Sequence, residues 1–369
     1  MKKKEIQACL RDLISLEYGK ALPDALRVSQ GIYPVYGANG IKARTNEYLC
    51  DIPTLVIGRK GSVGEINISK TKFWPLDVTY YVKFDTQKLD LYYLYYLLKR
   101  QNLSILAKGV KPGLNREDVY NIPVVISPLR EQKRIAGILD KVQSLIALQK
   151  QQLEKLDLLI KSKFIDMFGD LFSNSYQWPE ILLKDLIIEM FIGPFGSDLK
   201  NENYVDKSEG YCVVYEQKHA IRKMLDCEFR YVNKQKFEQL KRFLVQAGDF
   251  IVSCRGTIGE IYCLPENAPR GIIHSSLMKV RPNSERVCAV YFEKILEHII
   301  NKGNKNGGVI KMAITAKELS MKTVPLPPLD LQNQFANFVK SVEQQKEVFT
   351  TRLSHLETLY KSLMQEYFG

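Results

Sequence analysis

Two long segments limit what this chain can fold into. PLREQKRIAGILDKVQSLIALQKQQLEKLDLLIKSKFIDMFG starts at Pro128 and PLDLQNQFANFVKSVEQQKEVFTTRLSHLETLYKSLMQEYFG starts at Pro328. Pro, Leu and Gln recur at positions 128, 129 and 132 and at 328, 329 and 332, Val recurs at 142 and 342, and both segments finish on Phe-Gly. Neither contains an internal Pro after its first residue, and both carry apolar residues at helical spacing. A helix of roughly 37 residues is ~55 Å long at ~1.5 Å per residue, which makes each a spacer rather than part of one globular core.

The repetition extends beyond these helices. VIGRKGSVGEI, from Val56, returns as IVSCRGTIGEI from Ile251, and LRDLI from Leu10 returns as LKDLI from Leu183. The offset grows from 173 to 195 to 200 along the chain while the order is kept. That is a duplication whose second copy carries insertions, with two long units instead of the three or more short ones of a solenoid. The implied organisation is a first domain over 1–127, a helix over 128–169, a second domain over 170–327 and a helix over 328–369.

Both domains read as strand, Gly-rich loop, strand, then helix. In the first, strands are predicted at 54–58, 65–69 and 78–84 with a helix over 89–107; in the second, strands at 249–254, 260–264 and 276–282 precede a helix over 290–303. The fold class is α+β, with two tandem α/β domains each followed by a long helix. The apolar residues Ile138, Val142, Leu145, Leu156 and Leu159 in one helix and Phe338, Val342, Phe349, Leu356 and Leu359 in the other follow the alternating spacing of a heptad seam. Gln149 and Gln152 would weaken a seam made by the first helix with itself, whereas Phe349 and Leu353 of the second helix fall near those gaps. An intramolecular antiparallel coiled coil relating the domains by a pseudo-two-fold axis is the expectation; the plainer alternative packs each helix on its own domain.

Charge and cysteine usage narrow the partners. A net charge of +12 suits an acidic partner without choosing among DNA, RNA and an anionic membrane, and it also suits a merely basic surface. Seven cysteines, at 9, 50, 212, 227, 254, 263 and 288, form no Cys-x-x-Cys pair, which points to reduced thiols and a cytoplasmic location rather than a disulfide framework or a zinc site. Glu5, Gln7, Arg11 and Asp12 interrupt the apolar run a signal peptide needs, and no stretch approaches the ~20 apolar residues of a membrane span.

Candidate nucleic-acid contacts cluster around the repeated loops. Gly61, Gly64, Gly256 and Gly259 permit close approach of backbone amides to a phosphate, with Arg59, Lys60, Ser62, Arg255 and Thr257 beside them; the same glycines equally suit a tight turn joining two strands. Further candidates are Lys42, Arg44, Lys70, Lys72, Lys108 and Lys111 in the first domain. Their proposed counterparts in the second are Arg222, Lys223, His274, Ser275, Lys302, Lys305 and Lys311. Neither His219 nor His274 has a partner at metal-ligand spacing, and the run Tyr92, Tyr93, Tyr95 and Tyr96 is spaced for helix packing rather than base stacking. No catalytic or metal-binding residue is assigned.

Taken in order over the full length, these features resemble the specificity subunit of type I restriction-modification systems. The residues that carry the resemblance are Lys60-Gly61-Ser62-Val63-Gly64, Arg255-Gly256-Thr257-Ile258-Gly259, KPGLNREDVYNIPV from Lys111, IKMAITAKELSMKTVPLPP from Ile310, and Pro-Leu-x-x-Gln at the head of each long helix. One departure is Asp330-Leu331, which stands where the first copy has Arg130-Glu131. The resemblance implies two target-recognition domains reading the halves of a bipartite, asymmetric double-stranded DNA sequence. It also implies a helix pair that acts as ruler and docks two methyltransferase subunits, with restriction subunits joining the complex. S-adenosylmethionine, ATP and magnesium are then expected on those partners, which would modify adenine, and none on this chain. In keeping with that, the sequence lacks both a Walker-type phosphate loop and an Asn/Asp-Pro-Pro-aromatic adenine motif. Two other readings stay open on residues alone: a nuclease using Asp206, Glu216 and Lys218, and a coiled-coil interaction protein whose basic domains bind RNA.

Overall fold

The computed structural model describes residues 6–109, 112–171, 173–305 and 315–369. It divides into two compact units, Met1–Gln152 with Phe349–Gly369, and Leu153–Val348. Each unit therefore contains one globular domain and a part of both long helices.

The first unit runs β1 (Ile6–Cys9), β2 (Ile14–Tyr18), β3 (Tyr33–Gly37), β4 (Gly40–Thr45), β5 (Thr54–Gly58), β6 (Ile66–Ser69), β7 (Trp74–Pro75) and β8 (Thr79–Phe84). Then come α1 (Leu91–Arg100), α2 (Arg116–Tyr120), β9 (Pro123–Ile126) and the long α3 (Leu129–Phe168). Strands order as β2-β8-β5-β6 in an antiparallel sheet, as β4-β3-β7 in a second sheet with β3 and β7 parallel, and as a separate β1-β9 pair. β5 is buried along its whole length: Leu55 and Ile57 enter the core under α1, and Val56 enters a cluster with Tyr36, Cys50 and Phe73. Because successive side chains alternate faces and both faces are covered, this strand reads as an unbroken apolar run. Helix α1 starts where the Asp90 carboxylate accepts from the N–H groups of Tyr92 and Tyr93. It stops at Arg100, well short of the predicted 107, because Asn102 takes a left-handed φ of 47° before a 3-10 turn at Leu103–Leu106. Tyr93 and Tyr96 are buried, as their spacing implied.

The second unit runs β10 (Glu180–Leu182), β11 (Ile187–Ile192), β12 (Cys212–Tyr215), α4 (Gln217–Arg222), β13 (Arg230–Val232), α5 (Lys234–Leu240), β14 (Leu244–Val245), β15 (Phe250–Ser253) and β16 (Ile261–Cys263). It continues with β17 (Gly271–Ile273), β18 (Leu277–Pro282), α6 (Ala289–Lys305), α7 (Ala316–Ser320), β19 (Thr323–Pro325) and the long α8 (Leu329–Phe368). The sheets are β11-β18-β15-β16, β13-β12-β17-β14 and β10-β19. Each sheet of the first unit thus has a counterpart with the same order and the same sense of pairing, down to the parallel contact between β12 and β17. The additions before the Gly-rich loop are α4, α5 and β14, which account for the rise of the sequence offset from 173 to 195; the further rise to 200 falls between that loop and the long helix.

Each long helix is a single 40-residue element. In α3 the residues withdrawn from solvent include Ile135, Leu139, Val142, Ile146, Gln149, Leu153, Leu156 and Ile160, and in α8 they include Phe335, Val339, Val342, Lys346, Phe349, Leu353, Leu356 and Tyr360. Both series alternate steps of four and three and differ by 200, so the duplication preserved the seam position for position. This moves the predicted seam by one residue in places. Val142, Val342, Leu156, Leu356, Phe338 and Phe349 are covered and Ile138 lies at the seam's edge, but Leu145, Leu159 and Leu359 are 46%, 46% and 45% exposed. Extra leucines at 145, 148, 158 and 159 make the apolar stripe wider than one seam, and only the packing partner selects which edge is covered.

Within each unit the helix segments run antiparallel. In the first, Arg134 lies over the Tyr367 ring at 5.8 Å and Lys150 pairs with Glu357 at 3.0 Å. In the second, Lys346 pairs with Asp157 at 2.9 Å, and Phe164 and Phe168 meet Phe335 edge-on at 5.4 Å each. Both predicted alternatives hold at once, since these segments also pack on the domain of their own unit: Tyr96 donates to Asp140 at 2.6 Å, and Tyr291 of α6 stacks on Phe164.

The Pro-Leu-x-x-Gln motif has a clear physical role. Gln132 and Gln332 are 1% and 0% exposed. The Gln132 amide donates to the carbonyls of Lys88 and Ser127 and accepts the N–H of Asp90; the Gln332 amide donates to Pro327 and accepts the N–H of Cys288. Each buried glutamine therefore ties the first turn of a long helix to the residue that opens the domain's own helix. Leu331 packs into the second core, so the departure from the Glu at 131 trades a surface ion pair with Arg134 for apolar contact.

Candidate nucleic-acid interface

The two Gly-rich loops share one backbone frame. In the first, Gly58 N–H donates to Glu65 O and Gly64 N–H donates to Gly58 O, both at 2.8 Å; in the second, Ser253 N–H donates to Glu260 O and Gly259 N–H to Ser253 O, again at 2.8 Å. Neighbouring turns match as well: Arg59 N–H bonds Val78 O as Cys254 N–H bonds Ser276 O, and Leu76 N–H bonds Tyr36 O as His274 N–H bonds Tyr215 O. All four loop glycines have positive φ, which favours glycine on conformational grounds. Their surroundings separate two roles. A Cβ on Gly64 would lie 2.5 Å from Ser104 N, and one on Gly259 would lie 2.5 Å from Ile300 Cγ2, so these two seat the loop against the domain. A Cβ on Gly61 would meet nothing, and one on Gly256 would touch only the Gln217 side chain. Gly61 therefore faces open space, and Gly256 rests on a single side chain.

The candidate cations divide sharply when placed in the fold. Lys60 and Arg255 are exposed counterparts at the loop tips, each followed by the exposed Gly61 or Gly256 and then by Ser62 or Thr257. Lys42 and Lys70 are exposed on β4 and after β6, Lys70 lying 5.7 Å from the Tyr92 ring. Arg59 is turned inward: its guanidinium lies over Tyr18 and Tyr80 and donates to Asp77 O at 2.8 Å. Arg44 holds the preceding loop by donating to the carbonyls of Gly31 and Ile32. Lys72 sits 4.2 Å over Tyr48, whose hydroxyl raises the ammonium pKa, and Lys108 pairs with Asp118 at 2.9 Å. Lys223 pairs with Glu293 and Glu297 of α6, and Arg222 reaches Cys227 Sγ at 3.8 Å. Lys111 and Lys311 lie outside the described residues, as do the side chains of Lys302 and Lys305.

Two predicted correspondences are corrected by the strand register. Arg222 and Lys223 belong to α4, in the connection between β12 and β13 that replaces the tight β3–β4 hairpin, so they do not correspond to Lys42 and Arg44; the residue in register with Arg44 is Tyr231. His274 and Ser275 correspond to Leu76 and Asp77 rather than to Lys70 and Lys72.

Around Arg255 the structure assembles residues that sequence spacing could not join. Glu216 pairs with Arg230 and, at 3.2 Å, with Lys218. Burial opposes ionisation of this carboxyl, but the two cations hold it below the usual carboxylate range. Arg230 also lies 3.8 Å over the Tyr204 ring. His274 is pushed down by burial and by Arg230 and Arg255, against the pull of Glu216, and its Nδ1 lies 2.9 Å from Ser276 Oγ. Gln217 donates to the carbonyls of Arg255 and Thr257. On another side, Phe191, Pro194, Phe195, Arg242 and Phe243 line a groove of about 690 Å³ shared with Arg255, and Phe195 is 73% exposed within Gly193-Pro194-Phe195-Gly196. Gln217 and Glu216 lie in a Glu-x-Lys triplet whose nuclease resemblance has no structural support: Glu216 is taken up by Arg230 and Lys218, and no group of acidic, Cys or His residues among the described residues could hold a metal. His219 is a core residue, stacked on Phe229 at 4.5 Å with Nδ1 accepting the Glu216 N–H.

The fold is duplicated, each copy presents an exposed cationic loop tip, and each unit holds antiparallel segments of the two long helices. Residues 2–158 and 199–358, one stretch per copy, match the type I restriction modification DNA specificity domain, and the chain belongs to that family. It is 26% identical over 294 residues to a Methanocaldococcus jannaschii protein named for the type I restriction enzyme MjaX specificity subunit, covering 75% of this chain and 67% of the relative. It is 25% identical over 341 residues to the Haemophilus influenzae protein named for the specificity subunit S.HindORF215P, covering 88% and 83%. In fold it is similar to the S subunit of the type I restriction-modification system from M. genitalium, with a TM-score of 0.67 at 18% identity over 100% of this chain and 97% of that one. A chain from a structure of type I complex assembly and conformational transition gives 0.59 at 14% identity. The function is DNA sequence specificity within a type I restriction-modification complex, in a family non-catalytic in itself. No helix among the described residues is long and apolar enough to cross a membrane.

Proposed function

We propose that each domain reads one half of a split, asymmetric DNA sequence, and that the long helices dock two adenine-specific methyltransferase subunits, to which ATP-driven restriction subunits add. The observation that carries this reading is the shared loop frame with unlike side chains: Lys60 and Ser62 against Arg255 and Thr257, and Leu76 and Asp77 against His274 and Ser275. Equal frames suit equivalent placement on a duplex, and unequal side chains suit unequal half-sites. Phosphate contacts fall to Lys42, Lys60, Lys70 and Arg255 with the backbone at Gly61 and Gly256, and base-edge contacts to Ser62, Thr257, His274 and Ser275. S-adenosylmethionine, ATP and magnesium belong to the partners, which flip and methylate the base.

Co-expression with the methyltransferase of the same system, followed by mapping of adenine methylation across host DNA, tests this. A split motif methylated in both halves is expected. Absence of any motif, with the proteins co-purifying and S-adenosylmethionine supplied, would overturn it. The helix pair is proposed as the spacer, and seven residues inserted after Gln152 and after Val348 keep the heptad seam while adding ~10 Å of helix. The unread gap should then lengthen by about 3 base pairs at ~3.4 Å each, with both half-sites unchanged.

A further inference from the structure

The second recognition loop has a brace that the first lacks. Gln217, on the first turn of α4, uses both hydrogens of one amide nitrogen: Nε2 lies 2.9 Å from Arg255 O and 2.7 Å from Thr257 O. Only this orientation of the amide is compatible with two facing carbonyls, because the reverse would set oxygen against oxygen. The amide lies beneath Gly256, whose imagined Cβ would come within 3.3 Å of Gln217 Oε1. A trans peptide places C=O and N–H on opposite sides. Drawing the carbonyls of Arg255 and Thr257 toward Gln217 therefore turns the N–H groups of Gly256 and Ile258 away from it.

The brace is itself anchored. Glu216 is held by Arg230 and Lys218, its N–H donates to the buried His219, and Arg230 is stacked on Tyr204. In the first copy the same connection is a tight hairpin, Gly37 facing Gly40, with no helix and no equivalent glutamine. There the loop is held by Leu114 N–H donating to Arg59 O at 2.9 Å.

We infer that Gln217 is a positioning residue for the second half-site: it fixes the loop so that the Gly256 and Ile258 amides, with Arg255, face a DNA phosphate. This rests on the reading that each domain contacts its own half-site. The test uses the complex of this chain with its methyltransferase on a duplex carrying the mapped target, with phosphate-ethylation interference as the readout. Gln217→Met keeps the length and removes both donors; Gln217→Asn keeps the chemistry but falls short of the carbonyls. Either is expected to weaken binding about tenfold, the equivalent of losing two hydrogen bonds. Interference should be lost only at the half-site that Arg255→Ala also affects. Unchanged interference with either variant overturns the inference, and so does an affinity loss shared by both half-sites together with a lowered melting temperature, which would mark a folding role. Wild-type complex without interference at two half-sites would instead overturn the half-site reading, and the inference with it.

Discussion

The first and second globular domains carry the same sheets and the same loop hydrogen bonds, yet hold their recognition loops by different means. In the first, a short β3–β4 hairpin leaves the loop to be tied by Leu114 and by the inward Arg59. In the second, inserted residues build α4, and its Gln217, Glu216 and Lys218 reach under and beside the loop. The difference teaches that a duplicated frame can keep its backbone contacts while the side chains that brace and decorate it are exchanged. The proposed reading of two unlike half-sites needs that freedom.

The sharpest way to break the equivalence is through the helix seam. Phe335 and its counterpart Ile135 occupy the same heptad position, but Phe335 packs against Phe164 and Phe168. Phe335→Ala should cost about 3–5 kcal/mol and Ile135→Ala about 2–5 kcal/mol, read by denaturant unfolding with exchange protection reporting each unit separately. A first unit as strongly affected by Phe335→Ala as the second would refute independent packing. Next are the buried glutamines. Replacing Gln132 with Leu strands two carbonyls and an N–H, and replacing Gln332 strands one carbonyl and one N–H. At a net ~1 kcal/mol per lost hydrogen bond, the order of effect reverses, with the first unit the more damaged.

Smaller effects sharpen the comparison at the interface. Lys60→Ala and Arg255→Ala should each lower the slope of log K against log salt by about 1, leaving unfolding midpoints unchanged. Lys223→Ala should leave that slope alone, because its ammonium pairs with Glu293 and Glu297. The smallest effect is acid sensitivity confined to one domain. Burial lowers the pKa of His219 below its usual 6.5, so the unfolded chain takes up the proton more readily. Its contribution is complete above pH 6.5 and is lost as pH falls from there through the folded-state pKa. Glu216, also lowered, adds a loss below about 4.5. The protection factors of the Val213–Tyr215 amides, which correct for the intrinsic pH dependence of exchange, should therefore fall on acidification toward about pH 5, before those of Leu55–Ile57 do; a simultaneous fall would discount His219.

The sequence by itself determined the duplication, the strands at Thr54–Gly58 and Phe250–Ser253, the two long helices and the paired loops. These depend on local periodicity, turn residues and a repeat, all written along the chain. Tertiary structure alone decided which cations remain available. Arg44, Arg59, Lys108 and Lys223 look like Lys60 and Arg255 in one dimension, yet they are held by carbonyls, rings and carboxylates brought from elsewhere in the fold. It also chose the covered edge of an overly wide leucine stripe, leaving Leu145, Leu159 and Leu359 outside, and set Gln217 against a loop 38 residues away. Hydrogen bonds and burial at such separations depend on where strands place their ends, which no spacing rule along the chain specifies.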